Sequence, residues 1–272
     1  MTTSKLPIRR TLSLACGLLI LAISPAAVPE EPTAAAIAAF NAYVVAFETR
    51  LEQQHQSESG FLAPGAADQQ SEIRLRHGEL IIEKIAPPST TDSPGAMLQH
   101  WRGTAFVAGA KPADFERLMK NFNAYPKVFS PQVLKASALA DKGDHFHATM
   151  RVRQVHVITV VMDTTYDISF AQLDAQHGYS LSRSTHIAEI DSPGTATERA
   201  LSPAEQHGFL WRLNSYWSYE ERDGGLYMQI ESISLTRSIP RGLGWLVGPF
   251  VESVPRESLE FTLRSACNAL RK

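Results

Sequence analysis

The chain has 272 residues, 26 Lys plus Arg against 28 Asp plus Glu, and a formal charge of −2. No basic cluster interleaved with aromatics offers a landing surface for phosphates, which excludes nucleic acid as the expected partner. Hydrophobic residues make up 44% and charged residues 20%, a globular composition that excludes a wholly disordered or fibrous chain and leaves room for one large core.

Lys5, Arg9 and Arg10 precede an uncharged run over residues 11–23, and Ser24-Pro25-Ala26 places small residues at a cleavage site. This is the pattern of a secretory signal peptide over residues 1–26. The run of 13 residues is shorter than the roughly 20 that a spanning helix needs. A lipobox reading at Cys16 is weaker, because Leu18 and the rest of the apolar run follow the cysteine. Cleavage removes three basic and no acidic residues, leaving 23 against 28, or −5. Only Cys267 then remains, so no intramolecular disulfide can form, and a periplasmic or secreted location is expected.

Past Pro29 and Pro32, the residues Ile37, Phe40, Val44, Phe47 and Leu51 recur at alternating three- and four-residue spacing. They predict an amphipathic helix over about residues 33–55. Residues 57–70, with Gly60, Pro64 and Gly65, read as a loop, and residues 27–78 together form an N-terminal helix and linker before a domain at 79–272. A strand at residues 80–85 and another at 97–107 flank a loop broken by Pro87-Pro88 and Pro94-Gly95. Lys111-Pro112-Ala113-Asp114 then opens a helix ending near Tyr125-Pro126, with Phe115, Leu118, Met119 and Phe122 on its buried side.

Residues 131–237 are rich in β-branched and aromatic side chains, punctuated by turns at Lys142-Gly143, Gln176-His177-Gly178, Pro193-Gly194 and Asp223-Gly224. This reads as an antiparallel meander. A Gly-rich apolar stretch at residues 242–251 follows, and Pro255 is expected to start a last helix through Leu270. Leu259, Leu263, Ala266, Cys267 and Leu270 share one stripe of that helix, making Cys267 a packed apolar residue rather than a reactive thiol. The expected class is α+β: a curved antiparallel sheet wrapped around the C-terminal helix, with an extra N-terminal helix.

Asp223-Gly224 is the strongest local signal, since a type I′ turn needs the positive φ that both residues tolerate. Counting outward pairs Tyr219 with Met228, Trp217 with Ile230, Ser215 with Ser232, Leu213 with Ser234 and Trp211 with Thr236. That face should point inward; Arg212, Tyr216, Glu220, Tyr227 and Glu231 should point outward. An inner face that mixes Trp and Tyr with small hydroxyl residues suits a cavity wall. Trp211, Leu213, Ser215, Trp217, Tyr219, Met228 and Ile230 are therefore the candidate ligand-binding residues.

Trp101-Arg102-Gly103-Thr104-Ala105-Phe106-Val107 before a Pro-started helix, Asn123-Ala124-Tyr125-Pro126 followed by Phe129-Ser130-Pro131-Gln132-Val133, and Ser234-Leu235-Thr236-Arg237-Ser238-Ile239-Pro240 before a closing helix resemble the START-like helix-grip superfamily. The likeness spans about residues 97–271 and is nearest to bacterial SRPBCC-type members related to polyketide cyclases and coenzyme-Q-binding proteins. It implies a seven-stranded-type sheet gripping the last helix around an apolar tunnel. It carries over no catalytic residue, because the superfamily shares a cavity rather than a catalytic set.

No hydrolase elbow, zinc-protease, P-loop or dinucleotide motif occurs, and the sequence assigns no catalytic residue, metal or cofactor. His145 and His147 read as a surface pair without a third ligand. Arg151 and Arg153 lie on the strand face opposite Phe146, Ala148, Met150 and Val152, and are expected to be solvated. Glu198-Arg199 reads as a surface pair. The expected function is an exported, non-catalytic binding protein for a hydrophobic small molecule such as a lipid, quinone or polyketide-like compound. Peripheral membrane contact is expected through Trp245, Leu246 and Phe250. Alternatives are a cyclase or aromatase using the same cavity, and an envelope interaction module with a filled core.

Overall fold

A computed structural model describes residues 31–57, 60–63, 69–88, 91, 93–155, 158–238 and 244–271, with backbone alone for 244–252. The signal segment, residues 1–26, lies outside the described residues. Helix α1 (Ala34–His55) starts where expected: the Thr33 hydroxyl accepts from the Ala36 amide at 3.1 Å, capping the first turn. Helix α2 (Gln69–Arg76) occupies part of what the sequence presents as linker. Strands β1 (Ile81–Ile85) and β2 (Ala96–Ala108) lead into α3 (Pro112–Lys120), which Pro112 opens at its first turn. That helix stops earlier than its pattern implies, passing through a 3₁₀ turn (Phe122–Ala124) into the short α4 (Tyr125–Val128).

Seven strands follow: β3 (Val133–Lys142), β4 (His145–Val155), β5 (Thr159–Gln172), β6 (His177–Asp191), the two-residue β7 (Arg199–Ala200), β8 (Arg212–Arg222) and β9 (Gly225–Arg237). Helix α5 (Gly244–Leu270) closes the chain. It begins well before Pro255, so most of the apolar stretch at 242–251 is helix rather than an irregular segment.

The sheet runs β1-β2-β9-β8-β6-β5-β4-β3, antiparallel throughout, with β7 paired to β6. Five neighbouring pairs are consecutive in the chain; β6 and β8 are joined across β7, and β2 and β9 become neighbours because the chain crosses from β2 to β3 at the far edge through α3 and α4. The fold is α+β, a nine-stranded open sheet gripping a C-terminal helix. At the β8–β9 turn Asp223 has φ +58° and Gly224 φ +75°, the positive values a type I′ turn demands. Leu213↔Ser234, Ser215↔Ser232, Trp217↔Ile230 and Tyr219↔Met228 pair as counted from the sequence. The pairing ends at Arg212↔Leu235, so Trp211 does not oppose Thr236 in the ladder.

Both faces of the sheet are covered. On the concave face, Leu259, Leu263, Ala266, Cys267 and Leu270 of α5 pack with Ala105, Val107, Leu226 and Met228, and with Phe115 of α3. Cys267 is buried there, and burial pushes its thiol pKa up. The sheet lets α5 approach because Gly103 has no side chain: a Cβ at that position would stand 2.5 Å from Leu263 Cδ1.

The convex face is the main departure from expectation. Phe40, Val44, Phe47 and Leu51 of α1 lie on Tyr216, Ile233 and Leu235. Phe61, Leu62 and Leu75 extend this second layer over Phe106 and Tyr227. Tyr216 and Glu231, read as outward-facing, do point away from α5, yet both are buried because α1 covers them. Periodicity identified the apolar stripe of α1 without indicating what it would cover.

Candidate functional site

The concave face has two regions. Toward its packed end, Phe115 meets the rings of Trp217 and Tyr219 at 5.1 and 4.8 Å between centroids. The Tyr219 hydroxyl donates to Glu116 Oε1 at 2.8 Å, and Lys120 Nζ holds the other oxygen at 3.0 Å. Burial, and then the Glu116 carboxylate, raise the Tyr219 pKa, so this phenol stays protonated and serves as a donor. Trp217, Tyr219, Met228 and Ile230 therefore sit on the face the sequence assigned, inside a filled core.

The other region follows from the run of α5. Leu259 and Leu263 lie over Gly103, whereas Cys267 and Asn268 stand beside Phe106 at the other end of β2. The first half of the helix therefore heads toward the Met97 end of that strand. There the concave face carries Leu213 and Ser215 on β8, Ser232 and Thr236 on β9, Ser182 and Ser184 on β6, and Met150 and Val152 on β4. All eight are only half-buried. The Leu213 amide donates to Ser184 Oγ at 2.9 Å, and Trp101 Nε1 donates to Gln99 Oε1 at 3.3 Å. The wall thus offers aliphatic and thioether surface interrupted by hydroxyls, suited to an apolar molecule with one or two polar atoms.

Of the seven predicted site residues, Leu213 and Ser215 lie in this half-open stretch and four lie in the packed region. Trp211 is a correction. It precedes β8, its amide donates to Leu235 O at 2.8 Å, and its side chain belongs to the cluster under α1, on the convex side. The alternation counted back from Trp217 stops holding where the strand stops. Ser182, Met150 and Val152 were missed as wall residues, although the Phe146, Ala148, Met150 and Val152 alternation had marked the inward face of β4.

Beneath α1 lies a buried polar network. Glu231, with its side chain 3% exposed, receives Arg50 Nη2 at 2.9 Å and Arg102 Nη2 at 3.2 Å, with His100 Nε2 at 3.0 Å. His100 Nδ1 meets the Tyr43 hydroxyl at 2.8 Å. Burial alone would raise the Glu231 pKa; the His100 imidazole 3.0 Å away and the Arg102 and Arg50 charges outweigh it and bring it to about 2. Further along α1, His55 stacks between Phe61 and Tyr179 and meets Ser218 Oγ at 2.8 Å. Burial, and then Arg50, lower its pKa to about 4. These groups are enclosed between helix and sheet; their geometry secures α1.

The remaining constellations are at the surface. His147 Nδ1 pairs with Asp167 at 2.7 Å. Arg151 lies on the convex side of β4 as expected but is clamped by Asp163 and Glu198 rather than freely solvated, with its side chain 17% exposed. Among the described residues no three His, Cys, Asp or Glu side chains gather as metal ligands. The side chains of Trp245, Leu246 and Phe250 lie outside the described residues.

No family model matches the sequence, and no curated protein does. Solved structures align with part of the chain. A STAR-related lipid transfer protein from Xanthomonas axonopodis aligns at 14% identity over 67% of this chain and 98% of its own, with a TM-score of 0.39. Human STARD10 aligns at 7% identity over 77% and 82%, with a TM-score of 0.42. The Zhui aromatase/cyclase from Streptomyces sp. R1128 aligns at 12% identity over 63% and 93%, with a TM-score of 0.41. Each of these is a likeness at low identity and a TM-score below 0.5, without a sequence family beside it.

Proposed function

We propose that the protein holds a hydrophobic small molecule, of lipid, quinone or polyketide-like chemistry, at the half-open end of the concave face, as a non-catalytic carrier or sensor in the cell envelope. The observation that carries this reading is the contrast along β8 and β9. Tyr219 and Met228 are fully buried, whereas Leu213, Ser215 and Ser232, on the same face, keep partial exposure. A sheet face that carries small hydroxyls where a core would carry large aliphatics leaves volume for a guest. Export rests on the charged, apolar and small-residue succession of residues 1–26. Trp245, Leu246 and Phe250 would supply contact with a membrane from which such a guest is drawn.

Native mass spectrometry of protein purified from its own host tests the reading. Co-purifying lipid-like mass is expected, and Ser215→Trp should displace it without lowering the unfolding midpoint. Repeated absence of any bound mass, together with no thermal shift across a panel of lipids and quinones, would overturn it. N-terminal sequencing of the mature protein tests export separately, with a start at Ala27 expected.

A further inference from the structure

A second opening lies outside the grip, at the sheet edge. Strand β1 is an edge strand, and α5 passes beside it without closing against it. The cleft left between them has a volume of about 420 Å³. Leu80 and Ile82 form its floor on the α5 side, while Ile81 turns to the cluster under α2; its rim carries Arg74 from α2 and Arg256 and Arg264 from α5, with Glu83 and Glu260 also lining it. A smaller depression of about 70 Å³ shares Leu80 and Arg264 and adds Phe106 and Arg271. The two adjoin along α5, sharing Leu80 and Arg264, with two aliphatic side chains below and guanidiniums at the rim.

The charge balance inside the groove decides what it takes. Glu260 is held by Arg264 at 2.7 Å, Arg74 is held by Glu79 at 2.8 Å, and Glu83 lies 3.7 Å from Arg102. Among the described residues Arg256 has no ion pair, and the Arg271 guanidinium bonds only the neutral Asn268. The groove therefore carries excess positive charge on a chain whose net charge is negative. Arg74 and Arg264 are about half exposed or more, so both can swing onto a bound anion without being dug out of a core. An extended peptide is a poorer occupant, because Glu83 and Lys84 charge the short edge strand and Pro87-Pro88 follows it. A carboxylate would meet one or two guanidiniums, whereas a phosphate presents enough oxygens for three.

We propose that the β1–α5 groove binds a single-chain amphiphile with an anionic head, its alkyl chain on Leu80 and Ile82 and a phosphate on Arg256, Arg264 and Arg74. This site is separate from the half-open concave face and stands whether or not that face holds a guest.

The test uses the full mature chain and dodecyl phosphate, dodecanol and inorganic phosphate as probes, read by calorimetry and by amide shifts. Dodecyl phosphate should bind and move the Leu80 and Ile82 amides, and Arg256→Gln/Arg264→Gln should weaken it at least tenfold. Both arginines are exposed, so an unchanged urea midpoint should accompany that loss. Inorganic phosphate should bind at least tenfold more weakly than dodecyl phosphate, because it lacks a chain to place on the floor. Dodecanol should be indifferent to the double substitution.

Equal affinity for the two phosphates, binding unaffected by the substitutions, or shifts confined to Leu213 and Ser232 would each overturn the proposal. In the last case a simultaneous loss in Ser215→Trp would place the probe in the grip, so the side groove would fail while the reading of the concave face survived.

Discussion

Replacing Glu231 with Gln asks what holds α1 to the sheet. The carboxylate is 3% exposed and faces Arg50, Arg102 and His100 within 2.9 to 3.2 Å. An amide of the same shape keeps one acceptor and turns its NH₂ toward groups that are donors, and removes from Arg102, whose side chain is only 12% exposed, a carboxylate closer than Glu83 at 3.7 Å. Breaking a buried pair in this way costs about 3 to 5 kcal/mol. Arg50 is 42% exposed and can recover water, which favours the lower end of that range.

Linkage gives an independent figure. A carboxyl that titrates at about 2 when folded, against an ordinary 4.5, contributes about 3 kcal/mol above pH 4.5, and that contribution is lost as the pH falls toward 2. Urea unfolding across pH 2 to 7 should therefore show a gap of about 3 kcal/mol between wild type and Glu231→Gln at pH 7, closing below pH 4.5. A gap under about 1 kcal/mol, or one that stays constant with pH, would refute the view that the buried carboxylate anchors α1.

Two further outcomes follow from the same packing. Gly103→Ala should cost about 1 to 3 kcal/mol in urea unfolding, because the new Cβ would stand 2.5 Å from Leu263 and 3.1 Å from Leu259 and must displace α5 from its seat. His55 titrates at about 4 when folded, so its neutral form is the one the fold favours; stability should fall as the pH drops from about 6.5 toward 4, by up to about 3 kcal/mol. His55→Phe should flatten that segment of the stability curve, and a curve unchanged by the substitution would remove His55 as its source.

The hairpin was the most legible part of the chain because one dipeptide fixes it. Asp223-Gly224 admits a single tight turn, and two-residue alternation then carries the register outward as far as the ladder extends. Trp211 lies one step beyond the ladder, where alternation no longer constrains a side chain. Helix α1 was legible in its limits and its buried stripe, since Phe40, Val44, Phe47 and Leu51 announce an apolar face. Helix α2 was not: QQSEIRLR has eight residues and one fully buried side chain, Leu75, too few for a period to emerge. The start of α5 was misplaced because a proline after an apolar, glycine-containing run has the appearance of a first turn. What lay on the convex face was illegible for a different reason. A strand face bearing Arg212, Tyr216, Glu220 and Glu231 has the alternation of a solvated face, and nothing in a single strand says that a distant helix will supply matching partners.

That hidden match bears on the register itself. A one-residue slip of β9 against β8 would bring Glu231 to the α5 side and set Ser232 and Ile230 under α1. On the concave side the penalty for such a slip is uneven: hydroxyls and a half-open stretch tolerate disorder more readily than a sealed core does. On the convex side it is severe, since Glu231 would leave Arg50, Arg102 and His100, while Tyr216 on β8 keeps α1 in place through Glu48, whose Oε1 accepts from its hydroxyl at 2.8 Å. A buried network of charge pairs discriminates against wrong pairings more sharply than apolar contacts of the same area. The strands bearing Leu213, Ser215 and Ser232 can thus leave one face loosely filled because the opposite face fixes their pairing. Helix α1, outside the span of the helix-grip resemblance, is the element that makes such a wall compatible with a unique fold.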